Sequence, residues 1–225
     1  IVERAAALLT PKVLVGKKAV VTAGPTQEAL DPVRCLTNHS SGRQGYAVAR
    51  ALAAAGADVT LISGSTALTV PVGVARIDVA SADDMYREAM KAAETADIFV
   101  GAAAVADWRA ETVAASKMKK VPGVDRLTLT LVKNPDIIAS VKASYPGIVA
   151  VGFAAETDNV EAAAKAKLAR KRLDAVIGNN GPAAFGSDVN TVVIVTEKGT
   201  RTVEKTTNDR VAGEIVTEIV GLLKE

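Results

Sequence analysis

Short apolar runs alternating with helical segments constrain this chain more than any other feature. Lys17–Thr22, Asp58–Ser63, Arg76–Val79, Asp97–Gly101, Gly147–Phe153 and Ala175–Ile177 read as strands. Several are apolar nearly throughout rather than at every second residue, as in a parallel sheet covered on both faces. Between them lie helical patterns. One begins at about Arg43 and stops at Gly56, a good C-terminal glycine. A second runs from Ser81, spaced as a capping box with Asp84, to about Thr95, and a third covers Val160–Leu173. This alternation predicts an α/β fold: a doubly wound, mostly parallel, Rossmann-like sheet with helices on both faces. Ala102–Arg126 is irregular, and Leu127–Val132 alternates with period two and reads as a half-exposed strand. Asn134-Pro135-Asp136 starts a short helix with Pro in its first turn. A hairpin is expected around Glu197–Thr200, then a closing helix from Thr206 or Thr207. Without repeats or low-complexity linkers, residues 1–225 read as one domain.

The connection after the first strand, Thr22–Gly45, is long and polar, which favours a functional loop. Its end, Ser40-Ser41-Gly42-Arg43-Gln44-Gly45, presents backbone N–H groups at a helix start, a ready anion site. The other unusual polar stretches follow Gly101, Phe153 and Ile177, again at carboxyl ends of strands, where a doubly wound sheet binds its ligand. The bulk properties narrow the partners. A net charge of +2 gives no ground for a nucleic-acid or membrane-surface partner, and no apolar run approaches a membrane span. The single cysteine, Cys35, permits no internal disulfide, so a reducing, cytoplasmic setting is expected. The single histidine, His39, rules out a His-rich metal site.

A nicotinamide cofactor fits poorly. Gly24 is too far from Gly42 and Gly45 for the dinucleotide fingerprint, and the second strand ends without an acidic residue for a ribose diol. A nucleotide site fits better. Asp107, after Ala102-Ala-Ala-Val-Ala, suits a ribose hydroxyl or Mg²⁺, or else a helix N-cap. Lys117-Met-Lys-Lys120 suits a loop closing over a triphosphate, or else a solvated run. Lys167 and Lys171 share one helix face, aimed at phosphates or simply exposed. Phe153 can stack on a base or join the core. Asn38 is neutral at every pH and can donate to a carbonyl or oxyanion.

Seven ordered motifs run along the chain: Thr22-Ala-Gly-Pro-Thr26, Pro32-Val-Arg34, Asn38-His-Ser-Ser-Gly42, Ala103-Ala-Val-Ala-Asp107, Lys117-Met-Lys-Lys120, Lys133-Asn-Pro-Asp-Ile137 and Gly152-Phe-Ala-Ala-Glu-Thr157. Asp174 to Asn180 and Phe185-Gly-Ser-Asp188 add to them. Together they resemble phosphopantothenoylcysteine synthetase, in its bacterial CTP-dependent form, over nearly the whole chain. The resemblance implies a domain excised from a longer bifunctional protein, whose other half is a decarboxylase that binds FMN. It implies a ligase of coenzyme A biosynthesis: CTP activates the carboxylate of 4′-phosphopantothenate, pyrophosphate leaves, and L-cysteine attacks the acyl-cytidylate to give the amide and CMP. By the same resemblance, Asn38 contacts the acyl intermediate, Arg34 is supplied across a homodimer, and Lys117 clamps the intermediate. Ser40, Gly42 and Gly45 hold the substrate phosphate, with Gly24, Ala103 and Ala104 also on the substrate side. Asp107, Lys117, Pro135, Asp136, Ile137, Ile138, Phe153, Lys167 and Lys171 take CTP, with Mg²⁺ on the triphosphate near Asp107. Subunit contacts are expected at Leu127–Val132 and around Lys117. Trp108 stands where relatives often carry Tyr.

Overall fold

The apolar runs pair as expected, and their order in space decides where a ligand can sit. The structure is a computed structural model that describes residues 7–120, 122–123, 125–181 and 187–224. β1 (Lys18–Ala23) leads through a small hairpin, β2 (Glu28–Ala29) and β3 (Cys35–Leu36), into α1 (Arg43–Ala54). β4 (Asp58–Ser63), β5 (Val74–Asp78), α2 (Ala82–Ala93) and β6 (Ile98–Gly101) follow. A second hairpin, β7 (Trp108–Ala110) with β8 (Leu131–Lys133), precedes α3 (Ile137–Ser144). β9 (Val149–Glu156), α4 (Val160–Lys171), β10 (Ala175–Asn180), β11 (Val189–Thr196), β12 (Gly199–Thr207) and α5 (Asn208–Leu222) complete the order.

The main sheet has eight strands in the order β12-β11-β10-β9-β6-β1-β4-β5. From β5 to β10 all neighbours are parallel; β11 and β12 add an antiparallel margin. The chain steps outward from β1 to β4 and β5, then returns to β6 on the other side of β1.

Successive residues of the central strands feed opposite cores. Val21, Val100, Val151 and Ile177 pack with Tyr46, Val48 and Leu52 of α1 and with Val211, Ile215 and Ile219 of α5. Their neighbours Val20, Phe99, Ala150 and Val176 pack with Met85 of α2, Val141 of α3 and Leu168 of α4. A period of two with both faces covered is what makes these strands apolar throughout.

The local signals hold at the helix ends. Ser81 and Asp84 form a capping box on α2, and Gly56 takes φ +99° just beyond α1. Asp136 caps α3 by accepting from Ala139 N–H, so Pro135 stands before the cap rather than in the first turn. The expected strand over Leu127–Val132 shrinks to Leu131–Lys133, which pairs with Trp108–Ala110. With only β7 beside it, the earlier part has no continuing ladder, and Leu127, Leu129 and Leu131 are exposed by 68%, 39% and 39%. Phe185 and Gly186 of the last motif lie outside the described residues.

Candidate active site

The reversal of strand order sets the carboxyl ends of β1 and β6 side by side, where a doubly wound sheet opens its crevice. Here the two departing loops stay zipped together. Ala102 N–H donates to Thr22 O at 3.1 Å, Ala104 N–H to Gly24 O at 3.0 Å, and Thr26 N–H to Ala104 O at 3.3 Å. Ala106 N–H donates to the Thr26 hydroxyl at 2.9 Å. Asn38 joins the same seam: its Nδ2 donates to Ala104 O, and its Oδ1 accepts from Ser40 N–H at 3.0 Å. The Asn38 amide therefore ties the helix start at Ser40 to the loop after β6. Asn134, only 5% exposed, ties that loop to α3 by donating to Ala106 O at 2.8 Å and accepting from Arg109 Nη1 at 2.8 Å.

Two adjoining cavities open on this seam. The first, about 150 Å³, is lined by every residue predicted to take CTP except Lys117: Asp107, Pro135, Asp136, Ile137, Ile138, Phe153, Lys167 and Lys171. The second, about 120 Å³, is lined by Ser40, Gly42, Gly45, Ala103 and Ala104, five of the residues predicted on the substrate side. Ala103 and Phe153 belong to both walls, and Phe153 also packs against the core beneath α1 and α5.

The first cavity is lined by two lysines, Lys167 and Lys171, and by two aspartates, Asp107 and Asp136. Lys171 pairs with Asp136 at 2.6 Å, its side chain only 14% exposed, while Lys167 donates to the Phe153 carbonyl. Burial and then the neighbouring Lys171 charge push Lys167 down to about 8, with Asp136 and Glu156 pulling weakly the other way. Burial raises Asp136, but the Lys171 hydrogen bond and charge, joined by the Ala139 N–H and Lys167, hold the carboxyl below its ordinary value. An anion here would relieve the Lys167 desolvation directly.

The second cavity is built around the start of α1. Gly42 takes φ +78° as the N-cap and no side chain closes the first turn. Gly45 lets that turn lie on β1: a Cβ there would sit 2.6 Å from Ala23 Cβ. Buried acceptors without a hydrogen-bond partner among the described residues, Gln44 Oε1 and Asn179 Oδ1, belong to side chains on this wall, and Asn179 is only 7% exposed. Such orphans suit a ligand with donors. Meanwhile the crevice at the end of β4, where a dinucleotide would lay a ribose, is covered: a Cβ on Gly64 would meet Pro25 O at 2.0 Å.

Three predicted residues stand elsewhere. Gly24, at φ +75°, turns the chain behind the cavities against Gly64 and Thr66 and lines neither. Arg34 and Lys117 also line neither; Arg34 pairs with Asp31 and donates to Met118 O at 2.7 Å, and Lys117 is exposed beside it. The physical reason is the tie between Met118 and the β2–β3 turn, which keeps both cations off the cavity walls in this chain. Conversely, Thr22, Gln44, Asn134, Asn179 and Asn190 line the cavities without having been singled out. Asn134 and Asn179 lay inside quoted motifs, and a buried amide at a strand end was the available signal.

Comparison with known proteins follows the same lines. The family described as DNA/pantothenate metabolism flavoprotein C-terminal domain matches residues 14–223. The coenzyme A biosynthesis bifunctional protein CoaBC of Vibrio cholerae serotype O1 is 49% identical over 210 residues, covering 92% of this chain and 53% of that protein. The chain thus spans about half the length of the curated relatives it matches. The crystal structure of the C-terminal domain of CoaBC aligns with a TM-score of 0.82 and 34% identity, over 95% of this chain and 98% of that one. A Cab2 mutant in complex with phosphopantothenate-cysteine shares the fold, with a TM-score of 0.76 at 16% identity over 99% of this chain and 92% of that one. The resemblance to phosphopantothenoylcysteine synthetase read from the motifs points the same way, and the chain belongs to the family of DNA/pantothenate metabolism flavoprotein C-terminal domains, with the C-terminal domain of CoaBC among its homologues.

Proposed function

We propose that this chain is a phosphopantothenate–cysteine ligase of coenzyme A biosynthesis, driven by CTP. The observation that carries the reading is the pair of cavities that share Ala103 and Phe153, one lined by Lys167 and Lys171 and one opening on an uncapped helix start. In this reading the triphosphate of CTP lies against Lys167 and Lys171, and the phosphate of 4′-phosphopantothenate lies at the N–H groups of Ser41–Gly45. The substrate carboxylate then meets the α-phosphorus at the shared wall. Its oxygen displaces pyrophosphate and forms an acyl-cytidylate, and the amine of L-cysteine attacks the acyl carbon, expelling CMP. Gln44 and Asn179 accept from the hydroxyl and amide groups of the pantothenate arm. Asn38 sits where its amide can be handed from Ala104 O to the acyl oxygen as charge develops there.

Among the described residues no cluster of three or more His, Cys, Asp or Glu side chains is placed to hold a metal ion. A Mg²⁺ carried on the triphosphate needs only one or two carboxylates besides phosphate and water, and Asp107 on the first cavity wall supplies one. The metal would neutralise charge on the triphosphate.

Residues 1–225 are read as one synthetase domain of a longer, cytoplasmic chain that also carries a decarboxylase. Exposed Trp108, Val113, Leu127 and Leu129, beside the β7–β8 hairpin, support self-association through that face. A homodimer built there would let Arg34 and Lys117 serve a partner's cavities. The test is pyrophosphate release from CTP and 4′-phosphopantothenate, with and without L-cysteine, alongside an ATP arm. CTP-dependent release with amide formed only when cysteine is added supports the reading; no release with CTP overturns it.

A further inference from the structure

The turn between β2 and β3 carries a carboxylate that none of the roles above uses. Asp31 is 3% exposed although it sits at a hairpin tip, where solvated polar side chains are the rule. Its Oδ1 accepts from the N–H groups of Val33 at 2.8 Å and Arg34 at 2.9 Å, which is enough to close the turn. Its Oδ2 does something else. It accepts from Arg34 Nε at 2.9 Å and Nη2 at 2.5 Å, and from Met118 N–H at 3.1 Å, 87 positions along the chain. Arg34 Nη2 completes a ring by donating to Met118 O at 2.7 Å. A few residues earlier, Ala114 N–H donates to Leu30 O at 3.0 Å, so the segment bearing Lys117 is stitched to the hairpin at both ends.

We infer that Asp31 is a positioning residue: it joins the Arg34 guanidinium and the backbone beside Lys117 into one unit, so that both cations are delivered to the substrate together. What the cations do there rests on the ligase reading; the joining itself does not. Two donors of the guanidinium fork, Nε and Nη2, converge on the one oxygen Oδ2 and fix the plane of the group, and Met118, held through both its N–H and its C=O, fixes the root of the Lys117 side chain. Without the carboxylate, only the Arg34 Nη2–Met118 O bond links the guanidinium to the 117–120 segment, and the two move more freely against each other. An exposed segment without such ties opens at little cost.

Asp31→Asn keeps the volume and the Oδ1 acceptor but removes the charge that holds the fork. Trypsin cleavage after Lys117, Lys119 and Lys120, read by mass spectrometry on the full chain, should accelerate about fivefold or more. Arg34→Lys loses the Nε donor, and its ammonium falls one bond short of the Nη2 position that reaches both Asp31 and Met118, so it should do the same, which keeps the test open if Asp31→Asn folds poorly. Under the ligase reading, Asp31→Asn should lower kcat for amide formation between about tenfold and about a hundredfold, with KM for CTP changed less than about twofold. It should add little to Arg34→Lys in the double variant. Unchanged cleavage in both variants overturns the inference whatever the activity, and so do fully additive losses of kcat. A wild-type chain that releases no pyrophosphate from CTP defeats the ligase reading alone, because the proteolysis arm still decides the positioning.

Discussion

Under the ligase reading, Lys167 should make CTP binding pH-dependent in a direction and amount that follow from its surroundings. In the free site, burial and Lys171 push it down to about 8. A bound triphosphate supplies the counter-charge that burial withheld and returns the ammonium to at least its ordinary value of 10.5. On that reading CTP should bind the protonated form, and apparent affinity should follow the protonated fraction of the free site. That fraction falls from about nine-tenths at pH ~7 to about one-tenth at pH ~9, so affinity should drop about tenfold, or about 1.4 kcal/mol, across that window. Near pH ~8, binding should take up about half a proton. Stability of the ligand-free chain runs the other way. A folded value below the unfolded one favours the neutral lysine, so this group's contribution to stability rises as pH climbs from about 8 toward 10.5. Isothermal titration calorimetry with CTP, in paired buffers of different ionisation enthalpy, measures both affinity and proton uptake. Lys167→Met should bind more weakly near neutral pH and lose the slope. An affinity constant within about twofold from pH ~7 to ~9, or the same slope in Lys167→Met, would refute the reasoning.

Other perturbations test the remaining parts. Asn38→Asp loses the Nδ2 donor and sets a carboxylate against Ala104 O; it should still release pyrophosphate yet form little amide, and normal product formation would remove Asn38 from the second step. Lys117→Gln should cut product formation at least about tenfold, while unchanged turnover would end the clamp role. Gly45→Ala forces a Cβ onto Ala23, where backbone rather than a flexible side chain lies behind, and should cost about 1–3 kcal/mol of stability in chemical denaturation. Asp136→Ala removes the α3 cap and should cost about 1 kcal/mol of stability, and it also frees Lys171; an unchanged unfolding midpoint would mean the cap is replaced by water.

Local rules carried far along this chain. Ser81 with Asp84, and Gly56, mark helix ends through hydrogen bonds and backbone angles that depend on a few neighbouring residues. The all-apolar strands announced a sheet covered on both faces, because a period of two leaves no polar face for solvent. The motifs named most of the cavity walls, and the polar stretches at strand ends named the side of the sheet. What the sequence by itself determined is thus the order of the main-sheet strands and their helices, the fold class and the family, each resting on short-range spacing or on identity of residues; the small β2–β3 hairpin and β7, inside stretches that read as loop, escaped it.

Tertiary structure decided the rest, through contacts between segments far apart in the chain. That β6 lies beside β1 is a pairing choice, and it alone zips Ala102–Ala106 to Thr22–Thr26 and splits the crevice into two cavities. The choice between an exposed basic face and a half-buried cation at Lys167 was made by the packing of α4 over β9. Leu127–Val132 has strand alternation but lacks a partner for most of its length, so the hydrogen-bonding ladder, not the pattern, set the strand at Leu131–Lys133. Asp31 reads as an ordinary turn residue until Met118 is brought against it. Burial and long-range hydrogen bonding set the charge state of a lysine and the stance of an arginine, and neither is encoded in the spacing of nearby residues.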